Sequence, residues 1–160
     1  MQAGDGGTGL AVELQGFKRI PFKSELYFTG TYLFNPRDTN GVSTFRTAPG
    51  ETVMSVTDQY LYRGGIGRPI PRIKGLAVSF GGRIEGVPVR DAIGQSNGFR
   101  RPGYAILLDP GFLYVRRAYM FSCNIPWAIE RNRKRSVADY ANGRRGDVAF
   151  ALMFSLSRRF

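Results

Sequence analysis

Apolar and polar residues alternate along most of this chain with a period of two. That is the repeat of β-strands whose two faces meet different surroundings. The pattern is longest in residues 147–160, where Val148, Phe150, Leu152, Phe154, Leu156, Arg158 and Phe160 share one parity. The other parity there is small or polar apart from Met153. Six earlier segments read the same way. The first, 8–18, sets Leu10, Val12 and Leu14 against Ala11, Glu13 and Gln15; the second, 22–35, sets Phe22, Leu26, Phe28, Tyr32 and Phe34 against Glu25, Thr29 and Thr31. The third, 52–66, is less regular, because Tyr60 and Tyr62 share a parity with Asp58, so a bulge is expected. The fourth, 72–87, opposes Leu76, Val78, Phe80 and Ile84 to Ser79, Arg83 and Glu85. The fifth, 103–116, holds Asp109 among apolar residues. The sixth, 119–130, sets Tyr119, Phe121, Cys123, Ile125, Trp127 and Ile129 against Ser122, Asn124 and Glu130.

The connections alternate in length. Short turns are expected at 19–21, 67–71 and 116–118, and long polar connections at 36–51, 88–102 and 132–146. Strands of about ten residues joined alternately by short and long connections fit a sheet that crosses a bilayer at a tilt. No stretch approaches the ~20 apolar residues of a membrane helix. The mean hydropathy of −0.22 is consistent with alternating strands, whose two faces average out. The expected fold is therefore all-β: an antiparallel up-and-down meander of about seven long strands forming part of a transmembrane β-barrel. Residues 1–160 read as one domain, expected to be a partial barrel, with 1–7 a flexible amino-terminal segment. That segment has neither a basic region nor an apolar stretch, so it is not a signal peptide. Odd strand number points the same way, and the sequence is expected to lack its beginning.

The last segment resembles the closing strand of bacterial outer-membrane β-barrels, porin- or transporter-like, and by pattern the resemblance covers most of the chain. Phe150, Leu152, Phe154, Leu156 and Phe160 match the alternating, Phe-terminated segment that the barrel-assembly machinery reads; Arg158 departs from it. The resemblance implies the bacterial outer membrane as location. It implies membrane lipid, lipopolysaccharide and the assembly machinery as partners, with missing amino-terminal strands or another copy completing the wall. Tyr27, Tyr32, Tyr60, Tyr62, Tyr104, Tyr114, Tyr119 and Trp127 are expected in aromatic girdles at the two interfaces.

Charge adds the candidate chemistry. The chain carries 23 Lys and Arg against 12 Asp and Glu, a formal net charge of +11. Arg90, Arg100, Arg101, Arg131, Arg133, Lys134, Arg135, Arg144 and Arg145 gather at or in the last two long connections, as candidates for lipid phosphate or for anions at a pore mouth. Solvated loops explain such runs equally well. Glu13, Arg83, Glu85, Asp109, Asn124 and Glu130 fall on the polar parity and are candidate lumen-lining residues. A structural ion-pair network would use the same residues. The chain has no histidine, so Ser-His and Cys-His catalysis are excluded. No metal, cofactor or enzymatic activity is expected. Gly64-Gly65-Ile66-Gly67 lacks dinucleotide-binding spacing and reads as turn or bulge glycines. The leading expectation is an outer-membrane barrel passing or binding small solutes through a polar lumen with a basic outer mouth. The alternatives are a structural or lipopolysaccharide-binding barrel with a plugged lumen, and a soluble basic all-β nucleic-acid-binding domain. Their discriminator is whether Phe22, Phe28, Phe80, Phe121, Phe154 and Phe160 lie buried or exposed.

Overall fold

A computed structural model describes residues 7–138 and 155–158. Its strands are β1 (Leu10–Ile20), β2 (Ser24–Phe34), β3 (Thr39–Ser43), β4 (Val53–Ser55), β5 (Gln59–Pro69), β6 (Leu76–Val87), β7 (Gly103–Leu108), β8 (Gly111–Arg116), β9 (Tyr119–Asn124), β10 (Trp127–Arg133) and β11 (Ser155–Arg158). Nine of them form one antiparallel sheet, and β3 pairs with β4 in a small separate hairpin.

The sheet is a meander of long passes. β1 pairs with β2 over its whole length, β2 with β5, and β5 with β6. The next pass is split: β8 pairs with Leu76–Ser79 of β6, and β7 with Gly82–Val87. Asp109-Pro110 separates the halves, because proline has no N–H to give the ladder. The following pass is split at Ile125-Pro126 into β9 and β10, which pair with β8 and β7. Ile125 N donates to Pro110 O at 2.9 Å, so the two breaks lie side by side. β11 then pairs with β9. The antiparallel meander agrees with the sequence reading. Closure into a barrel does not follow from these pairings: among the described residues β1 pairs only with β2, and β11 only with β9.

Register sorts the side chains into two faces. Rows on one face run Lys18–Leu26–Ile66–Phe80, then Phe28–Gly64–Gly82–Leu108–Trp127, then Leu14–Gly30–Tyr62–Ile84–Ile106. A tyrosine row follows, Val12–Tyr32–Tyr60–Gly86–Tyr104. This face is apolar, and no second layer of described residues covers it: Trp127 is 75% exposed and Leu14 67%. Rows on the opposite face include Glu13–Thr31–Leu61–Glu85–Ala105–Arg131 and Gln15–Thr29–Arg63–Arg83–Leu107.

Several boundaries differ from the sequence expectation. The third pass is β5, which begins at Gln59 and runs to Pro69, so the turn falls at 70–75 with Gly75 at φ 86°. Gly64, Gly65 and Gly67 therefore lie inside a strand, in unbroken register with β6. The 36–51 connection is not featureless, since it supplies β3. Phe22 leaves its expected face, because it sits in the β1–β2 turn at φ 65° beside Lys23 at φ 56°. Tyr27 lies on the polar face as register partner of Phe17, not in a girdle.

Among the described residues the small buried core lies mostly outside the sheet. Val56, Phe99, Ala48 and Ala138 are buried where parts of the three long connections meet; Leu107 is the buried apolar residue of the sheet among those described. These connections form a cap over the sheet end where β2 finishes and β5 begins. The short turns lie at the other end.

Candidate functional site

The cap is held by a buried polar network. Asp58 is fully buried and accepts hydrogen bonds from Tyr32 Oη at 3.0 Å, Asn35 N at 2.7 Å and Ala92 N at 2.8 Å. Its own N–H donates to Asp91 Oδ1 at 2.9 Å. Arg100 completes the set: Nη1 lies 3.0 Å and Nη2 2.5 Å from the Asp91 carboxylate, and Nη2 donates to Ser55 Oγ at 2.7 Å. Both side chains of this ion pair are wholly buried. A buried carboxylate is tolerated when it is paired and saturated with donors, and that condition brings 35–58 and 88–102 together. Arg46 stacks 3.9 Å above the Phe99 ring and pairs with buried Glu51 at 3.2 Å.

The sequence-derived basic cluster is thus divided. Arg100 is 2% exposed and committed to Asp91, so it is not presented to an external anion. Arg90, Arg101 and Lys134 are exposed; Arg131 and Arg135 are half-buried. Arg133 belongs to β10 by its backbone. Arg144 and Arg145 lie outside the described residues, as do Phe150, Leu152, Phe154 and Phe160; Leu156 is the register partner of Phe121 in β11.

Of the lumen candidates, Glu13, Arg83, Glu85, Asp109 and Asn124 share the polar face. Glu130 does not. The β10 register shifts between Ala128 and Glu130, so Ile129 is the extra residue and Glu130 lies opposite Ile106 on the apolar face. There Glu130 accepts from Tyr104 Oη at 3.1 Å, beside the tyrosine row.

On the polar face the charges interlock. Arg63 and Arg83 are direct register partners, an unfavourable pairing of like charges unless each is offset. Arg83 pairs with Glu85 and Arg63 with Asp109, whose Oδ2 lies 2.9 Å from Arg63 Nη2. The Arg63–Asp109 contact is a close charge pair without hydrogen-bond alignment, so neither Asp109 oxygen has a hydrogen-bond donor. The sequence reading picked Asp109 but missed Arg63, because the irregular third segment had no assigned polar parity, and it placed Tyr27 in an aromatic girdle instead. Tyr27 crosses the paired glycines Gly65 and Gly81, and a Cβ at either would fall 2.7 Å from its hydroxyl. The Arg63 guanidinium stands 5.3 Å from the centroid of the Tyr27 ring.

Toward the cap from this cluster the same face encloses an open hollow of about 630 Å³. Leu33, Leu61 and Val87 give it an apolar wall; Arg83, Arg101 and Arg131 bring cations, and Glu85 one carboxylate. No group of three or more potential metal ligands occurs among the described residues. Comparison with family models, characterised proteins and solved structures finds no match.

Proposed function

We propose that this chain forms part of the wall of an outer-membrane β-barrel, which binds or passes small solutes on its polar inner face. One observation carries the reading: a continuous apolar side-chain surface extends across the sheet with none of the described residues packed on it, while the ion pairs of the sheet lie on the opposite face. Phe22, Phe28, Phe80 and Phe121 are 83, 46, 58 and 42% exposed. A soluble domain would bury such residues, whereas a bilayer solvates them without a second layer. The tyrosine row near the cap suits one membrane interface, and Lys18, Arg68 and Arg116 near the short turns suit lipid headgroups at the other. In this reading the cap faces outward, its exposed Arg90, Arg101 and Lys134 meet lipopolysaccharide phosphates or incoming anions, and the assembly machinery reads the last strand. The wall is completed by further strands or another copy.

A second reading, a lumen plugged partway, draws on the Tyr27, Arg63 and Asp109 cluster below the hollow. In that case the barrel binds solutes without passing them. Refolding with and without detergent micelles tests the membrane reading, followed by solute uptake into vesicles for passage. A single β-rich species only in micelles is expected; a monodisperse β-rich monomer in plain buffer would sink the proposal.

A further inference from the structure

The three short turns carry a charge imbalance that sets them apart from the cap. Residues 18–25, 67–76 and 115–119 hold eight Lys and Arg against one acid, Glu25. All eight are exposed. Arg19 lies 3.5 Å from Glu25, a solvent-exposed pair that offsets little of the excess. In the cap, Arg46 and Arg100 are instead matched to buried Glu51 and Asp91. Register brings the turns together. Counted from the row Arg19–Glu25–Gly67–Ser79–Gly111, the hairpins end successively farther along the strands, at Ile20–Ser24, Pro69–Ala77 and Arg116–Tyr119. Strands that tilt across a bilayer need such a stagger for their ends to lie at one level. Lys18, Arg68 and Arg116 share the parity of the apolar face, as register partners of Leu26, Val78 and Tyr119. Lys23, Arg72, Lys74 and Arg117 stand in the turns themselves, with exposed Phe22 and Ile73 among them. A cationic rim on an apolar surface, with apolar side chains between the charges, suits a membrane surface. Nucleic acid would neutralise the charges but leave Phe22 and the adjoining apolar face uncovered.

We infer that the turn end of the sheet is a contact surface for anionic phospholipid headgroups, those whose phosphate carries no balancing amine. The turn cations meet the phosphodiester oxygens. Lys18, Arg68 and Arg116 reach the same level from the apolar side, with their stems along it, and Phe22 and Ile73 enter the acyl boundary. A zwitterionic headgroup fits less well, because its ammonium meets the same excess of cations. This preference rests on the reading of the apolar face as lipid-facing.

The test uses the full chain refolded with phosphatidylcholine vesicles that carry trace spin-labelled phosphatidylglycerol or phosphatidylcholine, read by electron paramagnetic resonance. Labels near the headgroup report lipid held at the protein surface. Labels deep in the acyl chain are restricted only where the protein spans. Phosphatidylglycerol should be favoured over phosphatidylcholine by about threefold at low salt, falling to near parity in about 0.5 M NaCl. Lys23→Gln, Arg72→Gln, Lys74→Gln and Arg117→Gln combined should remove most of the preference. Arg90→Gln, Arg101→Gln and Lys134→Gln combined, in the cap, should remove less. Each variant's β spectrum is recorded beside the resonance spectrum, so a folding defect is read separately. No association, equal association of the two lipids, a salt-independent preference, or a loss from the cap variant as large as from the turn variant overturns the proposal. So does tighter binding of a single-stranded oligonucleotide than of phosphatidylglycerol vesicles through the same turn residues. A preference seen by the headgroup label alone would uphold the surface and reject the spanning reading. Deep restriction of both lipids alike would do the reverse.

Discussion

Gly65 and Gly81 are side-by-side glycines whose missing side chains make room for Tyr27. A Cβ at Gly81 would lie 2.3 Å from Gly64 O and 2.9 Å from Gly65 Cα, and backbone cannot yield as a flexible side chain can. Gly81→Ala should therefore destabilise the sheet by about 1–3 kcal/mol, read as a shift in the urea midpoint of unfolding from micelles. Tyr27→Phe should be nearly neutral by the same assay, because the buried hydroxyl has no hydrogen-bond partner to lose. Equal losses from the two substitutions would contradict this account of the socket. In the sequence the glycine run looked like a turn. The packing of Tyr27 depends on residues from three strands, and a local pattern does not report such a contact.

At the scale of elements, alternation made the strands and most of their faces legible. The apolar rows through Val12, Phe28, Phe80 and Phe121 fall where the period of two puts them. It failed where something interrupts the period. Pro110 and Pro126 split two passes, the bulge at Ile129 carries Glu130 to the apolar side, and Asp58 belongs to the cap instead of a strand. The cap itself was not legible, because its ion pair joins Asp91 and Arg100 to Asp58 and Ser55 of another connection. Arg100→Gln would leave the Asp91 carboxylate buried without its cation, and breaking such a pair costs about 3–5 kcal/mol locally. Limited proteolysis should then cut within 37–57 and 88–101 while the β spectrum of the sheet persists; an unchanged cleavage pattern would argue against the network as the cap's support. The two faces also make opposite demands. Leu108→Arg on the apolar face should cost about 2–4 kcal/mol of folding stability in lipid vesicles, while Thr29→Arg on the polar face should cost far less. Equal effects would contradict the assignment of faces.

At the scale of the molecule, the buried apolar core of the described residues is small and lies mostly in the cap, leaving the described sheet without a soluble protein's usual source of stability. In the proposed bilayer setting, lipid against the apolar face supplies that source. β1 and β11 run in the same direction through the meander, so each needs an opposite-running neighbour to extend the antiparallel sheet. The most direct test uses the single tryptophan, Trp127, which lies on the apolar face opposite Leu108. Its fluorescence would be measured in vesicles whose acyl chains carry bromine, with acrylamide as the aqueous quencher. Strong quenching by the brominated chains and little by acrylamide is the expected result. Ready quenching by acrylamide with none from the brominated lipid, in a folded β-rich chain, would contradict the claim that this face meets lipid.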